Sequence, residues 1–126
     1  MESERTEEIE RYIQDWYWSD QSHKFAYDFG EYLFGFMDYL EESGLSERTI
    51  KKHRGNCWCI GILICQYGFQ DEFNPEILSY PPYQDIEFRR KFSDSKYQVQ
   101  SYNSTCKKLE KYALKKGDLS YEKDLN

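Results

Sequence analysis

Apolar residues recur every three to four positions along most of this chain, and no stretch alternates apolar with polar residues as a half-buried strand would. The first segment, about 4–18, places Ile9, Tyr12, Ile13 and Trp16 on one helical face, behind the acids Glu7, Glu8 and Glu10 that suit a helix N-terminus. A second, about 23–43, repeats Phe25, Phe29, Tyr32, Leu33, Phe36, Met37 and Leu40, a stripe broader than a surface helix needs. Gly30 and Gly35 interrupt it, and one of them is expected to mark a close helix crossing.

The sharpest local signal is EESGLSERTI at 41–50. Gly44 fits the left-handed position after a helix end, and Ser46 fits the next N-cap. Leu45 and Ile50 have the spacing of a hydrophobic staple, so the segment predicts a tight helical hairpin. The third helix, about 47–67, carries Ile50, His53, Cys57, Ile60, Ile64 and Tyr67, and it becomes apolar all round from Cys57 to Cys65. That half belongs at the domain centre, and Gly68 is expected to end the helix.

Residues 69–93 are irregular in pattern. Asn74-Pro75-Glu76 can cap a short turn carrying Ile77 and Leu78, Pro81-Pro82 favours an extended crossover, and Phe69, Phe73, Tyr80 and Tyr83 are expected to pin the segment to the core. A final helix, about 94–116, turns Val99, Tyr102, Cys106, Leu109 and Ala113 inward and closes at Gly117. The expected fold is therefore all-α: one domain over 1–117 with four main helices and a short turn, then a frayed tail at 118–126. Its core should centre on Phe29, Leu33, Phe36, Leu40, Ile50, Cys57, Ile60, Ile64, Cys106 and Leu109.

Composition narrows the class. Of 126 residues, 39% are hydrophobic and no run approaches the 18 or so apolar residues of a membrane span. The polar, acidic start MESERTEEIE and four cysteines without paired spacing lead to the expectation of a cytoplasmic protein with reduced thiols. The net charge of −6 is unevenly divided: residues 1–47 sum to −10 and residues 48–126 to +4. Overall acidity counts against nucleic acid, and the basic second part partly restores it.

The wording between Phe29 and Gly68 also carries a likeness. Tyr39-Leu40, then Gly44-Leu45-Ser46, then Arg48-Thr49 and a long, partly basic helix resembles the N-terminal, SAM-like core-binding domain of tyrosine recombinases. The resemblance implies an orthogonal SAM-like bundle of four or five helices and, at Arg48, Thr49, Lys51 and Lys52, proximity to a DNA backbone. It does not extend to that family's catalytic residues. His23 and His53 are the only histidines, and neither lies in a His-x-x-Arg phrase.

Each candidate site also has a plainer role. Arg48, Lys51, Lys52 and Arg54 could neutralise phosphates, or could pair with Glu41, Glu42 and Glu47. Lys107 and Lys111, with Lys108, Lys115 and Lys116, could add phosphate contacts or simply complement a helix C-terminus. His53 and Cys57, one turn apart, could share a metal, but no Cys-x-x-Cys pair supports it, and no cofactor is expected. Trp16, Tyr17 and Trp18 form a run that one helix face cannot bury whole, which makes them candidates for partner contact. No phosphate loop, zinc-protease or nucleophile-elbow motif is present, so no enzyme is expected. Two readings remain: a non-catalytic module binding a protein partner, and an accessory protein contacting duplex DNA through the Arg48–Arg54 face.

Overall fold

The computed structural model describes residues 2–67, 72–79 and 85–118. Five α-helices and one 3₁₀ turn make up the described chain, with no strand among the described residues. They are α1 (Glu2–Ile13), α2 (Asp20–Glu42), α3 (Glu47–Tyr67), the turn Pro75–Ser79, α4 (Asp85–Lys91) and α5 (Lys96–Lys116). The all-α expectation holds, and the helices share one core.

α1 stops earlier than its periodicity predicts. Residues 14–16 turn, with the Trp16 N–H on the Ile13 carbonyl at 2.8 Å. The reason lies just downstream. Ser19 caps α2 by accepting the Ser22 N–H at 3.2 Å, while the Ser22 hydroxyl oxygen accepts the N–H groups of Ser19 and Trp18, each at 2.9 Å. This is a capping box with serine at its third helical position instead of Glu or Gln, so α2 opens at Asp20 and not near His23. α1 must turn before that cap.

The hairpin at 41–50 forms as expected. Gly44 has φ +87°, and the Ser46 oxygen accepts the Thr49 N–H at 3.2 Å. Leu45 and Ile50 lie half-buried against the core. Gly117 closes α5 with φ +85°, and Ser95 caps its start, one residue inside the predicted boundary. Gly68, Phe69, Pro81-Pro82, Tyr80, Tyr83 and the tail from 119 onward lie outside the described residues.

Between α3 and α5 the chain is more regular than its pattern indicated. Asn74 Oδ1 accepts the Glu76 N–H at 2.9 Å, and Ile77 and Leu78 are buried, as expected. Phe73 stacks on Phe29 with ring centroids 5.1 Å apart. α4, however, lies where the pattern predicts no helix. Its seven residues, DIEFRRK, carry acids in the first turn and bases in the last, and only Phe88 is buried. Phe88 stacks on Tyr102 of α5 at 4.1 Å, and that tertiary contact supplies what so short a helix lacks alone.

Of the ten predicted core residues, eight are buried, while Ile50 and Cys106 lie half-buried at the edge. Gly30 marks the α1–α2 crossing: a Cβ there would come 2.7 Å from Ile13 Cγ2. Gly61, which the pattern did not single out, sits under the ring of Trp16.

Candidate binding groove

α3 is the axis on which the charged surfaces divide. Arg54 and Gly61 face α1, whereas Lys52, Gly55, Asn56 and Cys59 face α4 and α5.

On the α1 flank, Arg54 holds its guanidinium 5.4 Å from the Tyr12 ring centroid and 5.2 Å from that of Phe34. Glu4, Glu7 and Glu8 line the same depression. The Tyr12 hydroxyl donates to the Arg54 carbonyl, and burial pushes the phenol's pKa up. This corrects the expectation of a single Arg48–Arg54 face: Arg54 is exposed, but it belongs with the aromatic and acidic flank. Packing and not periodicity decides the split, because Arg54 stands one turn from Lys51 on the helix and is drawn aside by the Tyr12 and Phe34 rings.

On the other flank a groove of about 490 Å³ runs between α3 and the α4–α5 segment. Its apolar lining comes from Phe88, Phe92 and Cys59, its lip from Lys51 and Lys52, and its far wall from Tyr97, Gln98 and Ser101. Tyr97 is 57% exposed. The Lys52 ammonium lies over the Tyr97 ring and donates to its hydroxyl. Arg48, Lys51, Lys52 and Arg54 are all exposed, and among the described residues none is within ion-pair distance of a carboxylate. The alternative pairing with Glu41, Glu42 and Glu47 is not formed.

A polar layer ties the two walls together. His53 is only 5% exposed, and its Nδ1 meets the Thr105 hydroxyl at 2.6 Å. Asn56 Nδ2 donates to Thr105 Oγ1 at 2.9 Å and to Ser101 Oγ at 3.0 Å. Burial, followed by Lys108 and Lys52, lowers the His53 pKa below its usual value. His53 thus serves the α3–α5 junction. Cys57, its proposed metal co-ligand, is fully buried with its thiol pushed up by burial. No group of three or more metal-ligating side chains occurs among the described residues.

The remaining candidates disperse. Thr49 completes the Ser46 cap, its Oγ1 accepting from the Ser46 hydroxyl at 3.0 Å. Lys107 and Lys111 are exposed on α5, but the lysine that acts on His53 beside Lys52 is Lys108. Lys115 lies over Tyr39 at 5.5 Å, and Lys116 over Tyr32 at 5.0 Å. The aromatic run also divides. Trp16 is 1% exposed and belongs to the core, which removes it from any surface strip. Tyr17 is half-buried, edge-on to His23 at 4.6 Å, and Trp18 is 62% exposed.

The sequence reading missed Gly55, Phe88, Phe92 and Tyr97 as site residues. Phe88 and Phe92 stand four apart between acids and bases, which is the pattern of a one-face helix, but seven residues are too few for periodicity to register. No helix of the described residues is long and apolar enough to cross a membrane. Compared with protein-family models, curated proteins and solved structures, the chain matches none.

Proposed function

We propose that this chain is a non-catalytic protein-interaction module that receives its partner in the groove between α3 and the α4–α5 segment. The observation that carries this reading is the lip of that groove, where Lys51 and Lys52 stand exposed without carboxylate partners above an aromatic lining. Cations held over apolar surface favour an acidic segment with a bulky apolar anchor. The polar side chains behind the groove, His53, Asn56, Ser101 and Thr105, are engaged with each other in the inter-helix layer. To test this, immobilised wild-type chain and a Lys51→Glu/Lys52→Glu variant are exposed to nuclease-treated cell extract. Proteins retained by the wild type and lost from the variant support the reading; identical retention overturns it.

The second reading is an accessory protein binding duplex DNA, favoured by the exposure of Arg48, Lys51 and Lys52 on one side of α3 and by the resemblance to recombinase core-binding domains. It now rests on three cations of α3 instead of four, with Lys107 and Lys111 as outlying contacts. Fluorescence anisotropy with labelled duplex at roughly 50 and 200 mM salt tests it, because phosphate contacts lose affinity steeply over that range. Salt-sensitive binding that disappears in Arg48→Glu/Lys51→Glu/Lys52→Glu supports it, and no binding at low salt rejects it.

A further inference from the structure

Two surfaces of this molecule are chemically complementary. One is the cationic, aromatic-lined groove. The other is the corner between α1 and α2, where Trp18 is 62% exposed and the exposed acids Asp15 and Asp20 stand on either side of it in the chain. The corner is held in place, since the Trp18 N–H donates to Ser22 Oγ inside the α2 capping box. A corner whose backbone is already fixed loses less conformational freedom on docking.

We propose that the groove's occupant is a second copy of this chain, whose Trp18 enters against Phe92 and Cys59 while Asp15 and Asp20 face Lys51 and Lys52. This rests on the protein-interaction reading above and names its partner. Charge complementarity carries the choice: the groove lining includes no carboxylate, and the corner between residues 14 and 20 includes no cation. Gly55 supplies an independent observation. It lies mid-helix in the groove wall, and nothing stands within 4 Å of where its Cβ would be. Internal packing therefore does not require a glycine there, although alanine would favour the helix. Leaving out the side chain keeps the groove open for close approach of an incoming ring. Each copy bears one corner and one groove, so the contact is heterologous and can repeat from copy to copy. A single-ring anchor of this size gives weak association that salt weakens further.

The test is sedimentation velocity from low micromolar to millimolar protein, at roughly 50 and 300 mM salt. Wild type is expected to associate with increasing concentration and less so at high salt. Trp18→Ala lacks the anchor and Lys51→Glu/Lys52→Glu lacks the lip, so each alone is expected to remain monomeric. All three positions are exposed, and circular dichroism verifies that the fold is kept. Mixed together, the two variants still hold one intact groove and one intact corner, and they are expected to form a 1:1 heterodimer. Gly55→Leu, which fills the groove with a good helix former, is expected to abolish association as well. Wild type that stays monomeric, Trp18→Ala that associates like wild type, or a mixture that stays monomeric would each overturn the proposal. Monomeric wild type whose lip variant still loses an extract protein rejects self-association and leaves the protein-interaction reading standing; loss of neither rejects both.

Discussion

The ring of Trp16 lies directly against the backbone of Gly61, so close that a Cβ at position 61 would stand 2.0 Å from Trp16 Cζ2. Tyr12 meets the same indole edge-on at 5.5 Å, and Phe29 lies 5.9 Å away, so the ring has little room to retreat. Its Nε1 is buried without a hydrogen-bond partner among the described residues, so the fold retains this indole for its volume and shape. Gly61→Ala is expected to destabilise the chain by about 1–3 kcal/mol through overpacking. In Trp16→Phe, where the smaller ring frees that space, the same change should cost less. A double-mutant cycle from urea unfolding measures the difference, and additive effects would show that the two residues do not share the site.

Two other helical glycines separate by sign. At Gly30 a Cβ meets Ile13 Cγ2 at 2.7 Å, so Gly30→Ala must push α1 away from α2 and is expected to cost about 1–3 kcal/mol. At Gly55 a Cβ meets nothing within 4 Å, and Gly55→Ala is expected to stabilise by about 0.4–1 kcal/mol. Unfolding midpoints of the two variants check this directly. A destabilised Gly55→Ala would mean that the glycine serves the fold and not the groove.

His53 should make stability fall on the acid side of neutrality. Its native pKa lies below the unfolded value of about 6.5, so below that pH the unfolded chain binds the proton and the native chain resists it. The stability gap between wild type and His53→Gln should stay constant above about pH 6.5 and shrink steadily as the pH falls towards the native pKa. Denaturant unfolding across about pH 5 to 7.5 measures this window. A gap that does not change with pH would contradict the buried, neutral imidazole.

Thr105 is the hub of the α3–α5 layer, fully buried and within hydrogen-bond distance of His53, Asn56 and the Ser101 carbonyl. Thr105→Val keeps the shape and removes the hydroxyl, leaving the His53 Nδ1 without that partner. It is expected to cost about 1–3 kcal/mol, more than the loss of an exposed hydroxyl. Thermal or urea unfolding checks the value. A neutral result would mean that the layer rearranges or takes up water.

The four thiols should be unreactive in the native protein. Burial pushes Cys59 up to about 11 and Cys65 and Cys106 up to about 12, and Cys57 is raised further. A colorimetric disulfide reagent at about pH 8 is expected to modify them slowly in buffer and rapidly in denaturant, since the thiolate is the reacting form. Fast reaction of one thiol in buffer would identify a site more open than Cys59, which is half-buried.

Where recognition was local, the residues announced the structure. Gly44 and Ser46 made the hairpin legible, Asn74-Pro75-Glu76 the short turn, and Gly117 the end of α5, because caps and left-handed positions depend on a few adjacent residues. The face of α1 was equally legible, yet its end was not: Ser22 in place of Glu or Gln hid the capping box that begins α2. α4 was invisible for a related reason, since seven residues form a helix there only with Phe88 stacked on Tyr102.

The candidate site divides along the same line. The 3.6-residue turn puts Lys51 beside both Arg48 and Arg54, so it does not foretell that Arg54 turns away to the Tyr12 and Phe34 rings. What lies opposite Lys51 and Lys52 could not be read, because Phe92 stands in chain that shows no period of its own and Tyr97 is on the outer side of α5, whose neighbours only packing decides. The aromatic run is the clearest case. Trp16 and Trp18 are the same residue type two positions apart, one 1% and the other 62% exposed. The sequence by itself determined the four long helices, their apolar faces and their charge division, all set by neighbours within about two turns. Only the tertiary structure decided which tryptophan fills the core and which cations border a groove, because burial depends on what long-range packing places opposite a side chain.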